Sequence, residues 1–207
     1  MKQSIFKFLP VLACLGWMVF FWGCAGRSYL IVDYKVPAAS QQLNGQTFQL
    51  RIEDHRETKE ILTPNAADQF NAFNDRFSLA WIMADKERVL AGEHDVLALF
   101  KTAFQKRMAL LGTDPINHGG FQAPVLTVSL EEFTIDLKDH KWIAKVGYRA
   151  ALTKEGYIYA KERIRGNAER VRVLGRKGAD LVISEIFTDV VNRLDIPKLF
   201  RKAELID

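Results

Sequence analysis

Alternating hydrophobic and polar positions mark several extended segments of the chain. The pattern predicts strands over Tyr29–Val36, Thr47–Ile52 and Arg76–Met83. A longer alternating region, Val125–Val173, contains the turn sequence Lys154-Glu155-Gly156 and is typical of an antiparallel meander.

The meander changes the parity of its apolar positions once. Before Glu131 the apolar residues stand at even-numbered positions, Leu126, Val128 and Leu130. After Glu132 they stand at odd-numbered positions, Phe133, Ile135 and Leu137. A one-residue change of parity in a long strand indicates an extra residue, so we expect a β-bulge near Glu131.

Two segments show the 3.6-residue spacing of amphipathic helices. His94–Leu111 has Asp95 to cap its start and Gly112 to end it, and Gly178–Leu194 is followed by Pro197, which prevents its continuation. In the second helix Phe187 lies on the apolar face and Thr188 on the polar side. This order of elements predicts an α+β fold, a mainly antiparallel sheet with two helices packed on one face.

The first 23 residues differ from the rest of the chain. Lys2 and Lys7 precede a run of 15 largely apolar residues, Phe8–Trp22, which contains Pro10. The run is shorter than the roughly 20 residues that a spanning helix needs, and it leads to the junction Gly23-Cys24. We therefore expect a lipoprotein signal peptide over residues 1–23 and lipidation at Cys24. An uncleaved N-terminal anchor helix is the alternative.

This interpretation divides the rest of the chain into two parts. Residues 24–28 form a lipidated N-terminus with a short tether, and residues 29–207 form a single α+β domain. The only cysteines are Cys14, removed with the signal peptide, and Cys24, so no disulfide is available to the exported domain.

Charge is unevenly distributed. The chain carries +4 overall, but residues 161–177 contain seven basic residues against Glu162 and Glu169. A solvated strand face is the ordinary explanation of such a run, and contact with an anionic partner is the functional one. The candidates for an anion-binding or partner-binding surface are Lys161, Arg163, Arg165, Arg170, Arg172, Arg176 and Lys177.

Catalytic and metal-binding motifs are not found in the sequence. There is no Gly-x-Ser-x-Gly elbow and no phosphate-binding loop, and the four histidines lack the paired spacing of metal ligands; they are His55, His94, His118 and His140. Glu131 and Glu132 are neighbours in a strand, so they face opposite ways unless a bulge redirects one of them. We expect no enzyme activity, no cofactor and no metal.

Short motifs resemble two groups of bacterial lipoproteins. Leu130-Glu131-Glu132-Phe133, the turn at Gly156 and the closing helix resemble the PqiC-like ABC-type transport auxiliary lipoproteins. Ile52-Glu53-Asp54-His55-Arg56, followed by Ile61-Leu62, resembles the YajG-like lipoproteins. The resemblance implies an envelope helper in transport or maintenance, with no catalytic residues to transfer.

The sequence thus predicts a membrane-anchored, non-enzymatic accessory protein of envelope transport or assembly. Its expected partners are the membrane, through the N-terminal lipid, and an envelope transporter or other envelope proteins, but not nucleic acid. Ala25, rather than Asp, follows the lipidated cysteine, which resembles the outer-membrane sorting rule of Gram-negative lipoproteins and implies the periplasmic face of the outer membrane. The alternatives are a binding module for an anionic envelope lipid or polymer, which should have a concave site lined by the basic strand, and, with least support, an envelope hydrolase.

Overall fold

Strands and helices follow one another in the residues that the computed structural model describes, which are 28–70, 72–113, 115–116, 123–172 and 176–206. The strands are β1 (Tyr29–Lys35), β2 (Gln49–Asp54), β3 (Arg76–Ile82), β4 (Arg88–His94), β5 (Val125–Lys138), β6 (Lys141–Lys154) and β7 (Tyr157–Val171). The helices are a single turn, α1 (Pro64–Ala67), and three longer ones, α2 (Val96–Leu110), α3 (Lys177–Arg193) and α4 (Ile196–Lys202).

The strands form two sheets, each of mixed direction. One sheet has the order β1-β3-β4 and the other β2-β5-β6-β7. Strands β1 and β3 pair in parallel, as do β2 and β5, while the remaining pairs are antiparallel. The predicted α+β class is therefore confirmed, but the single, mainly antiparallel sheet is wrong. Alternation shows that a segment is extended and half-buried, and it carries no information on the direction of its partner.

The bulge in β5 is confirmed at the predicted residue. Leu130 pairs with Tyr148 of β6 and Glu132 pairs with Gly147, so Glu131 is the extra residue. The register shift lets apolar residues on both sides of the bulge point to the same core, where Leu130 and Phe133 are both fully buried.

Aromatic side chains connect the two sheets and the helices in one core. The rings of Phe77 on β3 and Phe133 on β5 lie 5.4 Å apart, and Phe100 on α2 lies 5.1 Å from Phe187 on α3. Phe100 also contacts the ring of Tyr148 at 6.0 Å. Trp142 and Tyr148, which lie on the apolar parity of β6, are fully buried.

Side chains of α3 form hydrogen bonds with the backbone groups along the outer edge of β1. The backbone N–H of Ile31 donates to Asp180 Oδ1 at 2.8 Å, that of Asp33 to Ser184 Oγ at 2.9 Å, and that of Lys35 to Thr188 Oγ1 at 3.2 Å. Asn192 Nδ2 donates in turn to the Lys35 carbonyl oxygen at 2.9 Å. These four helix residues, 180, 184, 188 and 192, are spaced four apart and so lie on one side of α3. We call this row of contacts the edge ladder.

The C-terminal end of α3 is held by groups from other elements. Arg107 on α2 is buried and its guanidinium donates to the carbonyl oxygens of Val191 and Leu194, the latter at 2.8 Å. Tyr148 Oη donates to the Val190 carbonyl oxygen at 2.8 Å. The Arg107 cation and the Tyr148 hydroxyl thus donate to carbonyl oxygens that have no partner within the helix.

Burial shifts the ionisation of this cluster. Desolvation raises the pKa of Tyr148, and of Tyr34 nearby, well above the ordinary range, so both phenols stay protonated. Desolvation also lowers the pKa of Arg107.

Three elements are not predicted by the sequence pattern, namely β4, α1 and α4. Strand β4 is mostly exposed on both faces, which removes the alternation. Pro197, expected only to stop α3, lies in the first turn of α4, where its missing N–H is harmless and Asp195 caps the helix.

Two predictions concern residues outside the described part of the chain. The signal peptide, residues 1–23, and lipidation at Cys24 both fall there. Within the described residues, no helix combines the length and the apolar character needed to span a bilayer.

Candidate functional site

The outer face of the four-stranded sheet is polar, whereas its inner face forms the core. One row of paired residues crosses all four strands on this outer face and consists of Glu53, Ser129, Arg149 and Arg163. The next row contains Glu132, Gly147 and Arg165. Charged groups from four strands are thereby placed side by side.

Glu131 is the centre of this charged surface. Its Oε1 accepts from Arg149 Nη2 at 2.7 Å, and its Oε2 accepts from Arg163 Nε at 2.5 Å. Arg165 Nη2 lies 3.8 Å from the same Oε2. The Glu131 side chain is 15% exposed, while the arginine side chains are about half exposed. We call this group the Glu131 cluster.

A cavity of about 480 Å³ lies over the cluster. Its wall includes His55, Glu57 and Glu132 besides the four cluster residues. Gly147 leaves room there, since a Cβ at this position would lie 3.2 Å from Arg165 Cγ. The bulge turns Glu131 toward the face occupied by Glu132, so both carboxylates line one cavity, which regular alternation would forbid.

The seven predicted basic residues divide into two groups. Lys161, Arg163 and Arg165 alternate along β7 on the outer face, as expected, and the two arginines belong to the Glu131 cluster. Arg170, Arg172, Arg176 and Lys177 lie at the other end of β7 and in the first turn of α3.

The second group has its own contacts. Arg170 pairs with Glu185 at 2.7 Å, Arg172 Nη2 donates to Gln69 Oε1 at 2.5 Å, and the Arg176 guanidinium lies 5.3 Å from the centre of the Phe70 ring. The seven residues therefore do not form one continuous surface.

Sequence reasoning missed Arg149 and the central position of Glu131. Arg149 lies on the polar parity of β6, and this is a signal that could have identified it. The register that places it opposite Arg163 and beside Glu131 depends on strand pairing, which the sequence does not specify.

The loop after β2 is joined by ion pairs to the end of that strand. Arg56 is buried and donates to both carboxylate oxygens of Asp54 at 3.0 Å, while Lys59 Nζ lies 3.0 Å from Asp54 Oδ1. The hydrogen bonds from Arg56 hold the pKa of Asp54 well below its usual range. This ion-paired loop borders the cavity through His55 and Glu57.

The described residues offer no candidate metal site. They contain no group of three or more histidine, cysteine, aspartate or glutamate side chains placed to hold a metal ion. His55 contacts Glu53 at 3.1 Å, His94 contacts the Ala91 carbonyl oxygen, and His140 is exposed in a turn. His118 lies outside the described residues.

The fold and the site define a class: a small α+β domain of two mixed sheets with an ion-paired cavity on its outer sheet face. The fold is similar to that of a Xanthomonas campestris protein of the DUF330 family, with a TM-score of 0.53 at 11% identity over 84% of this chain and 97% of the other. DUF330 is the PqiC-like family, so the expected resemblance to that group is supported at the level of the fold. The resemblance to the YajG-like lipoproteins stays a prediction.

Two further structures show weaker similarity. A PelC dodecamer from Paraburkholderia phytofirmans has a TM-score of 0.36 at 13% identity over 81% of this chain and 93% of that one. A lipoprotein from Neisseria meningitidis has a TM-score of 0.29 at 9% identity over 71% and 99% of the two chains. No family model and no curated protein match the sequence.

Proposed function

We propose that this chain is a lipid-anchored protein of the bacterial envelope that acts, without catalysis, as an accessory component of transport or assembly. The observation that carries the proposal is the fold shared with the DUF330 protein. The signal-peptide pattern ending at Gly23-Cys24 supports the anchor. Ala25 supports a location at the periplasmic face of the outer membrane.

The geometry of the Glu131 cluster supports a role in binding rather than in chemistry. Both oxygens of Glu131 already accept hydrogen bonds from arginines, so the carboxylate has little freedom to attack a substrate or to take its proton. Strong, charge-assisted contacts of this kind instead fix the shape of a surface.

A second candidate function is a binding module for an anionic envelope lipid or polymer. The cavity lined by Arg149, Arg163 and Arg165 favours it, because guanidinium groups bind carboxylates and phosphates with two parallel hydrogen bonds. Glu57, Glu131 and Glu132 border the same cavity and offset the positive charge. For this reason it ranks behind the accessory role.

Affinity capture of the intact lipoprotein from solubilised envelopes tests both functions. The accessory role predicts that an envelope permease or assembly protein co-purifies, whereas the binding module predicts an anionic lipid or polymer in the eluate. Mass spectrometry of the eluate identifies the co-purifying protein, lipid or carbohydrate.

The Cys24→Ser variant is the matched control for capture. It should retain the precursor mass, fail to incorporate palmitate and lose the envelope partners. Recovery of the acylated wild-type protein alone, with neither partner nor anionic ligand, would contradict both functions. Cleavage of the Cys24→Ser variant to normal size would contradict the lipid anchor.

A further inference from the structure

The end of the domain where β1 begins is close to the point at which the chain is anchored. Only five residue steps separate Cys24 from Tyr29, the first residue of β1, and an extended chain of that length spans at most about 17 Å. If Cys24 carries lipid, as the proposed function holds, this end of the domain cannot move far from the headgroups.

The first turn of α3 lies at this same end. Asp180 accepts from the Ile31 N–H, two residues into β1. A cavity of about 460 Å³ joins the two elements there and is lined by Ile31, Arg176, Lys177 and Leu181 among others. The tether therefore enters the domain beside the start of α3.

Basic and apolar groups occupy this end together. Leu181 is 47% exposed and lines this cavity together with Arg176 and the exposed Lys177. Arg172, held by Gln69, follows the last residue of β7. The two acidic residues that line the cavity are engaged, Asp180 with the Ile31 N–H and Asp33 with Arg88. Apolar side chains between cations are the composition of surfaces that lie on anionic bilayers.

We infer that Arg172, Arg176, Lys177 and Leu181 form a tether-side surface that docks on the anionic headgroups of the membrane to which Cys24 is attached. This inference rests on the proposed anchor and adds an orientation to it. The other basic group, Lys161, Arg163 and Arg165, is excluded from the contact. Nine residues of β7 separate Arg163 from Arg172, which is roughly 30 Å and several times the Debye length.

The opposite end of the molecule supplies a matched control. The β6–β7 turn is followed by Tyr159, which is 47% exposed, the same fraction as Leu181. Twelve residues of β7 separate Tyr159 from Val171, a distance of about 40 Å. Docking through the tether-side surface holds position 159 away from the bilayer.

Fluorescence quenching by headgroup-labelled lipid tests the inference on the intact, acylated protein in vesicles of phosphatidylglycerol and phosphatidylethanolamine. A fluorophore is attached through Leu181→Cys or, separately, Tyr159→Cys; with Cys14 removed and Cys24 acylated, either label is unique. We expect strong quenching at position 181 and little at 159. Raising the salt concentration should weaken the signal at 181.

Two triple variants of equal charge identify the surface. Replacing Arg172, Arg176 and Lys177 with glutamine should lower the ratio of docked to undocked protein on the order of 100-fold, since each basic residue near an anionic surface strengthens binding about five-fold. Replacing Lys161, Arg163 and Arg165 with glutamine should leave quenching at 181 unchanged.

Three results overturn the inference. Equal quenching at 181 and 159 means that the domain has no fixed orientation, and stronger quenching at 159 means the reverse orientation. An equal loss in both triple variants means that only total charge matters. The acylated mass of the protein, measured in the same preparation, separates these results from a failure of the lipid anchor itself.

Discussion

Arg107→Met removes a buried guanidinium from the end of α3 and keeps an unbranched side chain in its place. In the wild-type protein this group donates to the Val191 and Leu194 carbonyl oxygens, which are 84 and 87 residues distant in sequence. Methionine has no donor, so both carbonyls would remain buried without these hydrogen bonds. We therefore expect α3 to lose part of its attachment to α2.

The magnitude follows from two opposing contributions. A buried acceptor left without its partner costs about 1–3 kcal/mol, which applies to the Val191 carbonyl. The Leu194 carbonyl oxygen still accepts from the Ile196 N–H, so it loses one of two hydrogen bonds, about 1 kcal/mol. Against this, the wild-type protein keeps a guanidinium in a desolvated position, which the lowered pKa of Arg107 reflects, and methionine removes that penalty. We expect a net loss of about 1–3 kcal/mol in the free energy of unfolding.

Urea denaturation of the exported domain measures this loss directly. For a domain of this size it corresponds to a melting temperature lowered by roughly 2–12 °C. Lys101→Met is the control, because Lys101 is an exposed residue of the same helix and loses the same charge; it should change stability by less than about 0.5 kcal/mol. The stability of Arg107→Lys should lie between that of the wild type and that of Arg107→Met, because an ammonium group lacks the planar fork of donors that reaches two carbonyl oxygens. Wild-type stability in Arg107→Met would refute the idea that these hydrogen bonds outweigh the desolvation.

Two other predictions concern the edge ladder and the loop after β2. Ser184→Ala should lower the free energy of unfolding by about 1–2 kcal/mol, because the Asp33 N–H loses its acceptor. Glu185→Ala, on the exposed side of α3, is the control and should have less effect. Equal losses for the two variants in urea denaturation would contradict the ladder. Asp54→Asn should destabilise the domain at neutral pH but not in acid. The folded-state pKa of Asp54 is lowered, so its contribution is present above the unfolded pKa of 3.8 and is lost as the pH falls through the folded value. The difference in the free energy of unfolding between wild type and variant, measured by urea denaturation, should thus shrink below about pH 4.

Local patterns predicted the parts of the fold that depend on one segment at a time. The alternation of β6 places Trp142 and Tyr148 on the side of the strand that is buried, and the change of parity in β5 located the bulge at Glu131. Both signals are set by which side of a strand faces the core.

Pairing between distant segments could not be predicted in the same way. The parallel pairing of β1 with β3 and of β2 with β5 is not encoded in any local pattern. The partner of a single side chain can be equally hard to predict. Thr188 lies on the polar side of α3, where no structural role is evident from the sequence, yet its hydroxyl accepts from the Lys35 N–H, 153 residues away in sequence.

The candidate site was predictable in part for the same reason. The alternation of β7 placed Arg163 and Arg165 on one face, but their convergence on Glu131 depends on the register of three strands and on the bulge. The separation of Arg172 from this group follows from the length of β7, which runs from Tyr157 to Val171.

The edge ladder has a consequence for how the sequence can vary in length. Four helix residues advance about 6 Å, and two strand residues advance about 6.6 Å, so the two repeats stay in step over the length of β1. Inserting or deleting one residue between Asp180 and Asn192 would rotate the following side chains by about 100° and turn them away from the strand. Between these two positions the chain cannot gain or lose a residue without breaking the ladder. The turn at Gly156 has open space around it and can accept added residues, although replacing Gly156 itself would strain a backbone with a φ of 83°.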